Sequence, residues 1–188
     1  MCGIAGLIDL KRQLDGTELA LQAKHMADSI RHRGPDTGGQ WTDSQSGLAL
    51  SFRRLAIIDL KTGDQPLFGP GGTALVANGE IYNYIELREE LTGEAFQTES
   101  DCGPVLHYYR DHGADFASWL RGMYALAIHD PQERRLLLAR DPFGIKPLYY
   151  IQSDDAFAFA SEPQALIRAG LATARLNPAA RDEMLQTQ

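Results

Sequence analysis

Apolar residues recur at two different spacings along this chain, and the switches between them mark out its elements. The run from Gly3 to Asp9 is almost wholly apolar, which predicts a buried strand. Leu19, Ala23, Met26, Ala27 and Ile30 then recur at helical spacing and predict an amphipathic helix over 16–31. Asp15 and Glu18 stand at capping-box spacing ahead of it, and Arg31-His32-Arg33-Gly34-Pro35-Asp36 closes it in a turn. Short strands are expected at 38–42, 47–51 and 55–59. A further apolar strand over 73–78 should be stopped by Asn78-Gly79. Asn83 and Glu86 repeat the capping-box spacing before a short helix through Leu91, and another helix fits 104–112, ended by Gly113.

The second half reads as strands at 123–129, 135–140, 147–151 and 156–160. Ser161-Glu162-Pro163 then opens a helix that Gly170 terminates, and Asn177-Pro178 opens another. Strands fall in two groups with helices between and around them, without βαβ alternation. The expected class is α+β, with two mainly antiparallel sheets face to face and helices outside.

Composition narrows the functions open to such a fold. The chain has 188 residues, enough for one domain with a real core. Its formal net charge of −7 disfavours nucleic acid and anionic membranes as partners. No stretch is long and apolar enough to cross a bilayer, and the N-terminus lacks the pattern of a signal peptide. Two cysteines, Cys2 and Cys102, make no disulfide framework, so a cytoplasmic setting fits. No ligand spacing suggests a metal, and the five histidines stand beside no obvious partner.

Chemistry enters at residue 2. Position alone makes Cys2 a small buried residue opening a strand. Removal of the initiator Met would give it a nucleophilic thiol and a free α-amine, which could act as local base. Asn78-Gly79 can be a plain turn. It can also be an oxyanion hole, with an Asn amide and the following backbone N–H converging on one oxygen. Arg54 can be a surface cation or a bidentate grip on a carboxylate. Asp101 can be a helix-start carboxylate or the partner of an ammonium. Together, Arg54 and Asp101 would hold both charged ends of an α-amino acid. The Arg33–Asp36 segment is a plain turn or a mobile flap. The segment 140–149 reads as structural, and Cys102 as a packed small residue.

In combination these segments resemble the class II, or N-terminal nucleophile (Ntn), glutamine amidotransferases, nearest to the glutaminase half of glutamine-hydrolysing asparagine synthetases. The resemblance rests on Met1-Cys2-Gly3-Ile4-Ala5-Gly6, Arg31-His32-Arg33-Gly34-Pro35-Asp36, Arg54-Leu55-Ala56-Ile57-Ile58-Asp59, Asn78-Gly79-Glu80-Ile81-Tyr82-Asn83, Ser100-Asp101-Cys102 and Arg140-Asp141-Pro142-Phe143-Gly144-Ile145-Lys146-Pro147-Leu148-Tyr149. It implies a four-layer αββα sandwich over residues 1–188. It implies Cys2 as nucleophile and Asn78 with Gly79 as oxyanion hole. Arg54 would bind the glutamine α-carboxylate, Glu80 and Asp101 the α-amino end, and Ile57 and Ile58 would line the pocket. Relatives often carry His where Phe52 stands and Gly where Glu99 stands. The first change should alter packing; the second should bring a carboxylate near the ammonium site.

No ATP-pyrophosphatase loop of the Ser-Gly-Gly type occurs in the sequence. The resemblance therefore implies a synthetase domain missing from this chain, by truncation or because it lies on another chain. ATP and Mg are expected only there, with no cofactor here. The expected partners are L-glutamine and that domain or a partner protein; the resemblance leaves room for a homodimer. Two alternatives stay open: a non-catalytic glutamine-binding or docking module of the same fold, and hydrolysis of another amide.

Overall fold

A computed structural model of the protein describes residues 2–186. Strands β1 (Gly3–Asp9), β2 (Thr37–Asp43), β3 (Leu48–Arg54), β4 (Leu67–Phe68), β5 (Ala74–Ile81), β6 (Gly122–Asp130), β7 (Arg135–Arg140), β8 (Tyr149–Gln152) and β9 (Ala156–Ala160) form two sheets. One runs in the order β2-β3-β1-β9-β8 and the other β4-β5-β6-β7, and all strand pairs are antiparallel. The helices are α1 (Gly16–Ser29), α2 (Tyr84–Glu90), α3 (Val105–His112), α4 (Pro163–Arg168) and α5 (Pro178–Gln186).

The period-two alternation of the strands decides the layering. In β1, Ala5 and Leu7 face α1 and α4, where they pack with Leu19, Ala23, Met26, Ile30, Ala165 and Leu166. Ile4 points the other way and meets the second sheet. There Leu48, Leu50, Phe52 and Phe159 of one sheet pack on Ala74, Val76, Ala125 and Ala127 of the other. The far face of the second sheet, with Leu75, Ala77, Leu126 and Ile128, is covered by Val105, Leu106, Tyr109 and Phe116. The three apolar seams separate four layers, which is the expected αββα order. Gly6 fits where it does because a Cβ there would meet Phe159 at 2.6 Å.

Local signals decide where elements begin. The capping box of α1 is complete: Asp15 accepts from the Glu18 N–H, and Glu18 accepts from the Asp15 N–H. Three expectations need correction. Segment 55–59 is a loop, not a strand. The strand through Asn78 does not stop there but continues to Ile81. Asn83 does not cap α2 with its side chain; its Nδ2 donates to Trp119 O and its Oδ1 accepts from Arg121 N–H, tying α2 to the start of β6. The 33–36 segment lies against β3 in this structure. Gly34 packs so closely on β3 that a Cβ would lie 2.3 Å from the Arg53 carbonyl carbon, and Asp36 donates to Arg54 O at 3.1 Å.

Segment 140–149 is structural, as its composition suggests. The buried Asp141 carboxylate accepts backbone N–H bonds from Phe143, Ile145 and Lys146 and a longer one, 3.3 Å, from Tyr124. Burial opposes its charge, but these donors outweigh that and hold it below the usual carboxylate range.

Candidate active site

The site forms where strand ends from both sheets meet. Register places Gly3 opposite Arg53, so Cys2 enters the first sheet beside Arg54. A cleft there is lined by Cys2, Arg54 and Ile58 on one side and Gly79, Glu80 and Asp101 on the other. Leu55, Ile57, Gly63, Gln65, Ala77, Ser100 and Cys102 complete it. The candidates named from sequence thus converge, with the exception of Asn78, which lies just behind. It projects from β5 between the sheets, fully buried, and neither amide atom has a hydrogen-bond partner among the described residues.

Cys2 is part-buried, and its thiol points to Leu55 O at 3.6 Å. Burial pushes the thiol above its ordinary range, and the Glu80 charge adds to this; the Leu55 contact and Arg54 act the other way. The resting sulfur is therefore protonated at neutral pH and needs a base. The Cys2 carbonyl accepts from Arg33 Nε at 2.9 Å. Arg33 in turn is held by Glu162 at 3.0 Å, and His32 reaches the same Glu162 oxygen at 2.9 Å. No local signal points to this chain of contacts, because Glu162 lies 129 residues from Arg33 and stands in what reads as a helix-start motif.

Gly79 cannot carry a side chain. A Cβ there would fall 2.3 Å from Met123 O and 2.6 Å from Tyr124 Cα on the neighbouring strand. The dipeptide is thus a close approach of two strands, not a turn. Beyond it, Asp101 accepts from Ile81 N–H at 2.7 Å. Burial raises the Asp101 carboxyl above its usual range. Burial and then the Asp101 charge do the same for Glu80, with Lys146 as a partial counterweight. A buried carboxyl at Asp101 beside a half-buried one at Glu80 suits a cationic ligand.

Arg54 is buried, and its guanidinium is engaged. It donates to Ile58 O at 3.0 Å, to Asp59 O, and to the Asp64 carboxylate at 3.2 Å. The 55–64 loop is thereby folded over the cleft. Only about 20 Å³ of free room remains, close to the space of one water. Glu99, expected near the ammonium end of the substrate, does not line the cleft: its side chain is 86% exposed, with Arg88 at 4.0 Å. Phe52 packs in the seam between the sheets. Histidines, contrary to the sequence reading, do have carboxylate neighbours: His32 has Glu162, and His107 has Glu94 at 3.2 Å. Cys102 is buried behind Asp101, as a packed residue should be.

A thiol and carboxyl groups line one cleft of an αββα sandwich, with the unpaired amide of Asn78 just behind it, which is the arrangement of an Ntn-type amidotransferase. The model of the glutamine amidotransferase domain family matches residues 1–188, and the chain belongs to that family. The chain is 42% identical over 167 residues to asparagine synthetase [glutamine-hydrolyzing] 2 of Bacillus subtilis, covering 88% of this chain and 22% of that protein. It is 46% identical over 173 residues to asparagine synthetase [glutamine-hydrolyzing] 1 of the same organism, covering 89% and 27%. Among solved structures, the glutamine phosphoribosylpyrophosphate amidotransferase of B. subtilis superposes with a TM-score of 0.72 at 25% identity, over 90% of this chain and 44% of that one. The chain thus spans about a quarter of the length of these curated relatives. Among the described residues no helix is long and apolar enough to cross a membrane.

Proposed function

We propose that the domain hydrolyses the side-chain amide of L-glutamine through Cys2 and supplies the ammonia to an ATP-dependent amidation like that of the asparagine synthetases. The observation that carries this is the convergence on one cleft of Cys2, Arg54, Gly79, Glu80 and Asp101, contributed by both sheets and the loops around them.

With Met1 removed, the freed α-amine takes the Cys2 proton. The thiolate attacks the δ-carbonyl carbon of glutamine, and the C=O pair moves onto oxygen. Asn78 Nδ2 and the Gly79 N–H stabilise that oxyanion; the unpaired amide of Asn78 is a donor held ready for it. Collapse expels the amide nitrogen as ammonia, protonated by the Cys2 ammonium, and leaves a γ-glutamyl thioester. Water, activated by the same amine, releases glutamate and restores the thiol. Arg54 takes the α-carboxylate, Glu80 and Asp101 the ammonium, and Ile57 and Ile58 flank the side chain.

Entry of glutamine requires the 55–64 loop to shift. Asp64 occupies the guanidinium position that the substrate carboxylate would take, so binding exchanges one carboxylate for the other. The test is glutamate release from glutamine by protein lacking Met1. Cys2→Ala abolishes it and so does retention of Met1, which locks the nitrogen in a peptide bond. Full activity in the Cys2→Ala protein would overturn the mechanism. Glutamine binding without turnover would favour a non-catalytic module.

A further inference from the structure

The opposite end of the sandwich holds a larger cavity, of about 450 Å³, formed by three loops that converge there. Its floor is apolar, from Ile8, Leu48 and Leu136 of both sheets, and His129 at the end of β6 also lines it. His129 is 2% exposed, and neither ring nitrogen has a hydrogen-bond partner among the described residues. Asp43 Oδ2 stands 3.6 Å from Nε2, too far for a hydrogen bond. Asp43 is itself engaged by the Gln45 N–H at 3.0 Å.

Three arginines reach this cavity. Arg135 is committed, donating to Tyr109 Oη at 2.8 Å. Arg12 and Arg134 make no ion pair among the described residues. The Arg12 guanidinium lies over Gly47, where a Cβ would meet it at 2.0 Å. Arg12 and Arg134 also sit at φ of 56° and 50°, a left-handed backbone that glycine would adopt at lower cost. Two free guanidiniums at a mouth attract an oxyanion. An apolar floor of this size accommodates a hydrocarbon or aromatic body, and the buried imidazole, with both ring nitrogens unpartnered, offers a hydrogen bond to a polar substituent on it.

We infer that this cavity is a second ligand site, which binds a small organic anion: a phosphate or carboxylate head between Arg12 and Arg134, and an apolar body on Ile8, Leu48 and Leu136 beside the His129 ring. Organic anions bound there would leave the Cys2 cleft untouched, so the inference stands apart from the proposed hydrolysis.

The test is titration of the 188-residue protein by calorimetry with phenyl phosphate, benzoate and inorganic phosphate, with His129 imidazole resonances followed by NMR. Phenyl phosphate or benzoate should bind and shift the His129 signals; whichever is tighter assigns the head as phosphate or carboxylate. Loss of one guanidinium removes charge-assisted hydrogen bonds, so R12G and R134G should each weaken binding about tenfold or more. Glycine suits the backbone at both positions, and unchanged melting temperatures confirm folded proteins. Three results overturn the inference: no binding of either organic anion, affinity unchanged in both folded variants, or inorganic phosphate binding as tightly as phenyl phosphate, which would mean an adventitious ion only.

Discussion

Asn78 separates the needs of folding from those of chemistry. Its amide is fully buried, and both its nitrogen and its oxygen lack partners among the described residues. A buried polar group left unpaired costs about 1–3 kcal/mol. Asn78→Leu keeps the branching at Cγ and the number of side-chain heavy atoms, and it joins Val76, Ala125 and Ala127 in the seam between the sheets. Taking about 2 kcal/mol as the relief, and about 2–4 °C per kcal/mol for a domain of this size, the melting temperature should rise by about 4–8 °C. Glutamate release should fall about 10²–10³-fold, the usual loss for one oxyanion donor, mainly in kcat. Differential scanning calorimetry and a coupled glutamate assay on the same preparations measure both. A variant that melts at or below the wild-type temperature would refute the reasoning, because the amide would then be paired in the native protein. A stable variant with full activity would remove Asn78 from the mechanism.

Other consequences follow from the same contacts. Gly79→Ala drives a Cβ into the β6 backbone, so β5 and β6 must part; circular dichroism should show a loss of about 1–3 kcal/mol or more and little activity. Asp101→Asn tests the raised carboxyl. A raised folded value means the native state holds its proton longer, so wild-type stability falls as pH rises from the ordinary carboxylate value through the raised one. In the variant that slope should flatten, as melting temperature against pH from 3 to 8 would show, while KM for glutamine rises. Asp141→Ala leaves the amides of Phe143, Ile145 and Lys146 without their acceptor and should cost about 3 kcal/mol or more by urea unfolding. Because Asp141 is held low, the stability it gives is present above the ordinary carboxylate value. It is lost as pH falls through the depressed one.

Elements set by local chemistry were legible in the sequence. The α1 capping box, the apolar β1 and the glycine stop after α3 (Gly113, φ 58°) all form as their residues dictate. What the sequence misled on lies at the site. Leu55-Ala56-Ile57-Ile58 looks like a strand because it is apolar. Yet Ile57 is 61% exposed, and Arg54 takes the Ile58 and Asp59 carbonyls that a ladder would use. Asn78-Gly79 looks like a turn because that dipeptide usually is one. Here the glycine answers a neighbouring strand 45 residues away in sequence, at Tyr124. Cys2, Arg54, Asn78, Gly79 and Asp101 were legible as candidates because their types suit an amino-acid amide; Glu80, Ile57 and Ile58 entered only through the family resemblance. Glu162 and Asp64 were not legible, since their importance comes only from what Arg33 and Arg54 touch.

The division of the site between two sheets has a mechanical consequence. Cys2 leads into β1 and Arg54 ends β3 of one sheet, while Asn78, Gly79 and Glu80 lie on β5 of the other. Their separation is set by the thickness of the seam, where small alanines at 74, 125 and 127 face Ile4, Leu50, Phe52 and Phe159. Ala125 stands opposite Asn78 in the ladder. A methyl group or two added there would act as a shim, widening the gap between the proposed nucleophile and the proposed oxyanion donors. Packing in this domain is thus also alignment, and the reach of the thiol is gauged by residues that never meet the substrate.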